Sequence, residues 1–177
     1  MSQRSRQRHK ETATVIGTGL IINYPLNILL LFIFIDLFNY LRPDDVNLNC
    51  AVSDSNGVAK MFYQKKLSQL STIDEKQAII AFQGNIKTSE IKCFTLDAIL
   101  EKLKLNDKKI DLLDIDVEGA DLKVLKGFSL ETFKPDLICV EIHEKEIKYS
   151  EIYKYLSNFS YELVWSGVFS HIFKSNS

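Results

Sequence analysis

The sequence predicts an α/β domain with a mainly parallel sheet. Three observations carry that prediction. From residue 91 onward, β-like runs alternate with helical ones. Two of the β-like runs, 110–117 and 137–142, have apolar cores, as interior parallel strands do. Only 7 glycines and 3 prolines interrupt 177 residues, so most of the chain is free to form regular structure. The length suits one domain, placed at 12–177 after a basic, disordered tail at 1–11.

Each element has its own signal. Arg42-Pro43-Asp44-Asp45 marks a turn, and 46–52 alternates apolar and polar as a strand does. A second turn at Asp54-Ser55-Asn56-Gly57 leads into a strand at 58–63. Residues 64–88 have weak periodicity and read as a long loop with local structure. A strand is expected at 91–94 and a helix at 95–105, with Leu96, Ile99, Leu100 and Leu103 on one face. The strand at 110–117 passes through Glu118-Gly119 into a helix at 121–126, which Gly127 ends. Pro135 introduces the strand at 137–142. A helix at 149–159 and an antiparallel pair, 161–165 with 171–174 across Ser166-Gly167, close the chain.

Bulk composition narrows the function. The chain is 46% hydrophobic and 25% charged, with a net charge of -1, so nothing in it draws nucleic acid or an anionic membrane. Cys50, Cys93 and Cys139 have apolar surroundings and no CxxC spacing, which reads as reduced, mostly buried thiols of a cytoplasmic protein. No cysteine metal site follows from them.

The N-terminal region allows two readings. Residues 12–35 carry no charge and follow a basic tail, as in a membrane anchor. Asn23, Pro25 and Asn27 interrupt the run, and its densest part, 26–35, is about ten residues, short for a span. Burial against the sheet is therefore the preferred reading. Membrane contact through 14–35 is the lesser one.

The chemistry is concentrated at 110–128. Asp114 and Asp116, two apart on a strand, share a face. Asp116 and Glu118 flank the end of that strand, and Gly119 permits a tight turn into the helix. Ligands of open α/β sheets gather outside the carboxyl ends of the strands. A structural alternative is that these carboxylates favour the N-terminus of the following helix.

This stretch resembles the signature of the FkbM methyltransferase family. That signature has a DxEG core, here Asp116-Val117-Glu118-Gly119, and then a vLkG element, here Val124-Leu125-Lys126-Gly127. Lys134-Pro135 through Val140-Glu141 is similar to the family's next strand, Asn49 through Asp54 to an earlier strand and turn, and Thr95-Leu96-Asp97 to a "tlD" element. The resemblance covers 41–174. It implies a Rossmann-like class I methyltransferase fold, a three-layer sandwich that uses S-adenosylmethionine. It also implies methyl transfer to a hydroxyl oxygen of a small molecule, such as a sugar. Asp116, Glu118 and His143 are the candidates for general base or for orienting the acceptor. Histidine has an ordinary pKa near 6.5, which suits the task best.

On the same resemblance, the first cofactor motif should be a strand leading to a glycine-rich turn. Its nearest match is Val15-Ile16-Gly17-Thr18-Gly19, so Gly17 and Gly19 are the cofactor-approach candidates. Asp36 follows as the acid for the ribose hydroxyls, and Asp54 is placed near the adenine. Val15 stands where the motif has an acid, so the N-terminal part is incomplete or divergent relative to the family. Two other readings stay open: a degenerate domain with weak or no cofactor binding, and a membrane-tethered interaction module.

Overall fold

A strand places alternate side chains on opposite faces, and the segment leading to the acidic motif follows that rule closely. Leu113, Ile115 and Val117 are buried, whereas Leu112, Asp114 and Asp116 keep solvent contact. The structure, a computed structural model, describes residues 37, 39–41, 43–48, 50–64, 71–82 and 84–176. The expected elements at 14–35, together with Gly17, Gly19 and Asp36, lie outside the described residues.

The elements run β1 (Ala51–Val52), β2 (Gly57–Tyr63), α1 (Glu75–Ala81), β3 (Lys87–Phe94), α2 (Leu96–Lys102), β4 (Leu112–Ile115) and α3 (Asp121–Lys126). They continue with α4 (Leu130–Phe133), β5 (Leu137–Glu141), a 3-10 turn (Ile147–Tyr149), α5 (Glu151–Asn158), β6 (Tyr161–Ser166) and β7 (Ser170–Ser175). Polar caps start three of the helices: Asp74 accepts from the Gln77 amide at 3.0 Å, Thr95 from Ala98 at 3.1 Å and Ser150 from Tyr153 at 2.9 Å.

Among the described residues the strands form two sheets, ordered β1-β3-β2 and β4-β5-β7-β6. β4 and β5 are adjacent and parallel, with Leu112 opposite Leu137 and Ile115 opposite Val140, as their apolar cores predict. β7 runs antiparallel to both β5 and β6. β4, β5 and β6 therefore point one way and β7 the other. In the smaller sheet β1 and β3 are parallel and β2 opposes them.

The register divides the larger sheet into two unlike faces. Leu113, Ile115, Ile138, Val140 and Phe173 line one face and are sealed by Val124, Leu125 and Leu156 of α3 and α5. The other carries Asp114, Asp116, Cys139 and Glu141, all less deeply buried. The core extends to the smaller sheet through Val52, Leu96 and Leu100.

Among the described residues, point contacts connect the parts of the chain that carry the two sheets. Gly127 stands so close to the Ser53–Asp54 turn that a Cβ there would come 2.2 Å from the Ser53 carbonyl oxygen. The Asp97 carboxylate accepts from the Ser129 amide at 2.8 Å and from the Ser129 hydroxyl. The Thr72 hydroxyl reaches the turn after β4. The "vLkG" and "tlD" segments thus have a structural duty in docking one sheet on the other.

Two strand expectations need correction, whereas the local structure expected within 64–88 is there as α1. Only Ala78 of α1 is buried while Ile79 and Ile80 face solvent, so no apolar stripe marked it. The strand expected at 46–52 pairs only over Ala51–Val52, and the one expected at 91–94 begins at Lys87. The three cysteines are free, with Cys50 and Cys93 buried and Cys139 partly so. Among the described residues no helix is long and apolar enough to cross a membrane.

Candidate functional site

β4 and β5 are parallel neighbours, so their carboxyl ends share one edge of the sheet, and strands pair about 4.8 Å apart. Asp116 follows the end of β4, Glu141 ends β5, and His143 lies two residues beyond on the same side. The His143 Nε2 is 3.3 Å from Glu141 Oε2. Glu118 begins the turn out of β4 with a left-handed backbone, φ 52°, and Gly119 continues it at φ 90°. A left-handed non-glycine residue costs roughly 1–2 kcal/mol and persists only where surroundings hold it. Here Thr72 does so: its hydroxyl donates to the Glu118 carbonyl oxygen at 2.8 Å and accepts from the Asp74 amide at 2.9 Å. Asp74 also pairs with Lys123 of α3 at 3.3 Å, fixing α1 beside the site.

Below the turn lies Asp121, the first residue of α3. Its side chain is 2% exposed. One oxygen, Oδ2, accepts from the Gly119 amide at 3.2 Å, whereas Oδ1 is buried and has no hydrogen-bond partner among the described residues. No local signal in the sequence marks this residue as part of a site. An acid opening a helix reads as a response to the helix dipole, and only the fold shows that it faces inward.

The carboxylates crowd one another. Burial raises Glu118 to about 7, helped by the charges of Glu141 and Asp116 and opposed by His143. Burial likewise raises Asp121 to about 7, despite the amide hydrogen bonds it accepts, with Glu141 and Asp116 contributing. Glu141 and Asp116 are also raised by burial, Glu141 next by Asp116 and Asp116 next by Asp114, with His143 working against both. Such an edge stores protons near neutral pH and attracts cations. Cys139, on the same face, is pushed up to about 12 by burial and then by Asp114, so it stays an unreactive thiol.

The structure therefore brings Asp116, Glu118 and His143 together, with Glu141 and Asp121 among them. Asp54 is elsewhere. It sits in the turn after β1, with its carboxylate near the Ser53 and Ser55 hydroxyls at 3.2 and 3.5 Å, against Gly127 at the far end of α3. Among the described residues no cluster of three or more histidine, cysteine or acidic side chains is arranged to hold a metal ion.

The tip of the β6–β7 hairpin borders this edge. The Phe169 carbonyl accepts from the Ile142 amide at 2.9 Å, and its ring lies 5.1 Å from the His143 ring. Nothing in the sequence reading pointed to Phe169, since only strand pairing brings it beside residue 143.

A family model described as Methyltransferase FkbM domain matches residues 21–163. The match reaches further toward the N-terminus than the motifs alone suggest and takes in 26–35, Asp36 and Asp54; Gly17 and Gly19 precede it. No curated protein and no solved structure matches the chain.

Proposed function

The chain belongs to the FkbM methyltransferase family, and from that premise we propose that it transfers a methyl group from S-adenosylmethionine to a hydroxyl oxygen of a small-molecule acceptor such as a sugar. The observation that carries this reading is the convergence of Asp116, Glu141 and His143 at the shared carboxyl edge of β4 and β5.

In this reading His143 takes the hydroxyl proton. With its Nε2–H directed to Glu141, the imidazole leaves Nδ1 as the basic atom, and the carboxylate stabilises the imidazolium that forms. Asp116 accepts a hydrogen bond from the acceptor and sets its angle of approach. Glu118, raised to about 7, exchanges protons with the surroundings near neutral pH. General-base assistance of this kind contributes roughly 10²–10⁴-fold.

The site also suits a cationic cofactor. Among the described residues Asp121 Oδ1 is a buried carboxylate oxygen without a hydrogen-bond partner, and its neighbours are acidic. S-adenosylmethionine supplies an electrophilic methyl group on a sulfonium that departs as a neutral thioether. As the family resemblance implies, Asp36 is assigned to its ribose; Gly17 and Gly19 precede the family match, and Asp54 sits at the far end of α3 from this edge. The wider architecture belongs to the same proposal: the two sheets form one Rossmann-like layered domain. The family match takes in 26–35, which favours a segment of the family's domain over a membrane anchor.

Calorimetric titration with S-adenosylmethionine tests the reading. Micromolar binding, followed by transfer of labelled methyl to a hydroxylated acceptor, is expected. Absence of binding heat would reassign the chain to the degenerate form of the fold.

A further inference from the structure

The hairpin tip exposes apolar side chains where a soluble surface normally places polar ones. Val168 is 85% exposed, Trp165 53% and Phe169 50%. The indole folds back over the tip, since a Cβ on Gly167 would stand 2.7 Å from the Trp165 ring. The tip is also fixed in place: the Gly167 amide donates to the Ser170 carbonyl at 2.9 Å, and the Ile142 amide to that of Phe169 at 2.9 Å. A rigid apolar ledge therefore adjoins the acidic edge, joined to it by the contact between the Phe169 and His143 rings.

We propose that Trp165, Val168 and Phe169 form the acceptor-binding lip of this site and select an uncharged alcohol with a hydrocarbon group or an apolar ring face beside the reacting hydroxyl. This deepens the methyl-transfer reading and rests on it for the reaction, though not for the binding.

The argument is one of adjacency and charge. Exposed apolar surface of this kind marks a place where something binds. Because Phe169 touches His143, whatever lies on the lip has its polar end at the base. The carboxylates there accept hydrogen bonds from hydroxyls and repel anions, so a phosphorylated or carboxylated acceptor is disfavoured. Aromatic side chains supply broad contact area to a hydrocarbon at little entropic cost. Phe169 is also a positioning residue, since its ring limits the rotation of the imidazole.

The test uses the full chain with methyl β-D-glucopyranoside and octyl β-D-glucopyranoside, the latter below its micelle-forming concentration. Trp165 is the only tryptophan in the chain, so its fluorescence reports the lip directly. Imidazole resonances of His143 report the base. The octyl compound is expected to bind at least about tenfold more tightly than the methyl one, to shift Trp165 emission to the blue and to move the His143 signals. Val168→Asp should remove most of that preference while leaving the melting temperature unchanged, because the side chain makes little buried contact. Equal affinity for the two glucosides overturns the proposal, as does a Trp165 response with no movement at His143. Sedimentation of the chain with uncharged phosphatidylcholine vesicles, abolished by Val168→Asp, would make the tip a membrane contact and also overturn it. These readouts need neither cofactor nor turnover. A lip that binds in a chain with no affinity for S-adenosylmethionine would retain the binding site and refute the methyl-transfer reading alone.

Discussion

The Thr72 hydroxyl donates a 2.8 Å hydrogen bond to the carbonyl oxygen of Glu118, linking two residues 46 positions apart. The same hydroxyl accepts from the Asp74 amide, so one buried side chain satisfies two backbone groups. Thr72→Val keeps the shape and leaves both groups unpaired. Stability should fall by about 1–3 kcal/mol, measured by denaturant unfolding. A change below about 0.5 kcal/mol would show that the bond does not hold the turn.

Glu118 should trade stability for function. Its left-handed backbone is strained for any residue with a Cβ. Glu118→Gly relieves that strain and removes a carboxyl that burial disfavours when charged. The variant is expected to gain roughly 1 kcal/mol and to lose methyl transfer. A less stable variant with unchanged turnover would contradict both halves.

Stability should decline as pH rises through neutrality. Glu118 and Asp121 have folded-state values near 7, above those of the unfolded chain. The native state thus holds their protons more tightly than the unfolded one. The resulting stabilisation is complete below the unfolded values and is lost as pH climbs through about 7. Melting should fall by about 5 °C or more between pH 5 and pH 8. In Asp121→Asn the fall should shrink, whereas an identical pH slope in that variant would remove Asp121 as a cause.

Transfer should depend on the histidine and the aspartate at the sheet edge. His143→Ala and Asp116→Asn are each expected to lower turnover more than about tenfold. Both side chains reach solvent, so circular dichroism and melting should stay close to the parent. Parent-like rates in both variants would dismiss the edge as the site of reaction.

Gly127 should tolerate no side chain. A methyl group there meets the Ser53 carbonyl at 2.2 Å, and both partners are backbone. Gly127→Ala should destabilise by about 1–3 kcal/mol, seen as a lower unfolding midpoint. A neutral result would mean that the Ser53–Asp54 turn does not press on the end of α3.

The sequence revealed most where a local rule coincided with the tertiary fold. β4 and β5 alternate cleanly because one face is sealed, and α3 ends at a glycine that the packing requires. Asp116, Glu118 and His143 were legible because each sits at or just beyond a strand end. Other features had no local signal. α1 buries one residue and so has no stripe. Asp121 looks like any acid at a helix start. Phe169 comes beside His143 only because β7 pairs with β5 rather than lying at the sheet's margin.

Among the described residues no backbone ladder runs between the two sheets; the bonds that join them are few and local. Proteins built this way open in separate cooperative units of unequal stability. The smaller sheet carries Met61 and Phe62 but has only a minor apolar cluster of its own, so it is the unit that should open first in hydrogen exchange. When it opens, Phe62 releases its bridge to Thr72, and Thr72 in turn releases Glu118. The larger sheet would remain protected while the turn that shapes its acidic edge is already lost. Far-ultraviolet dichroism would then overstate the competent fraction, and amide exchange at Gly119 and Ala120 would be the truer gauge of it.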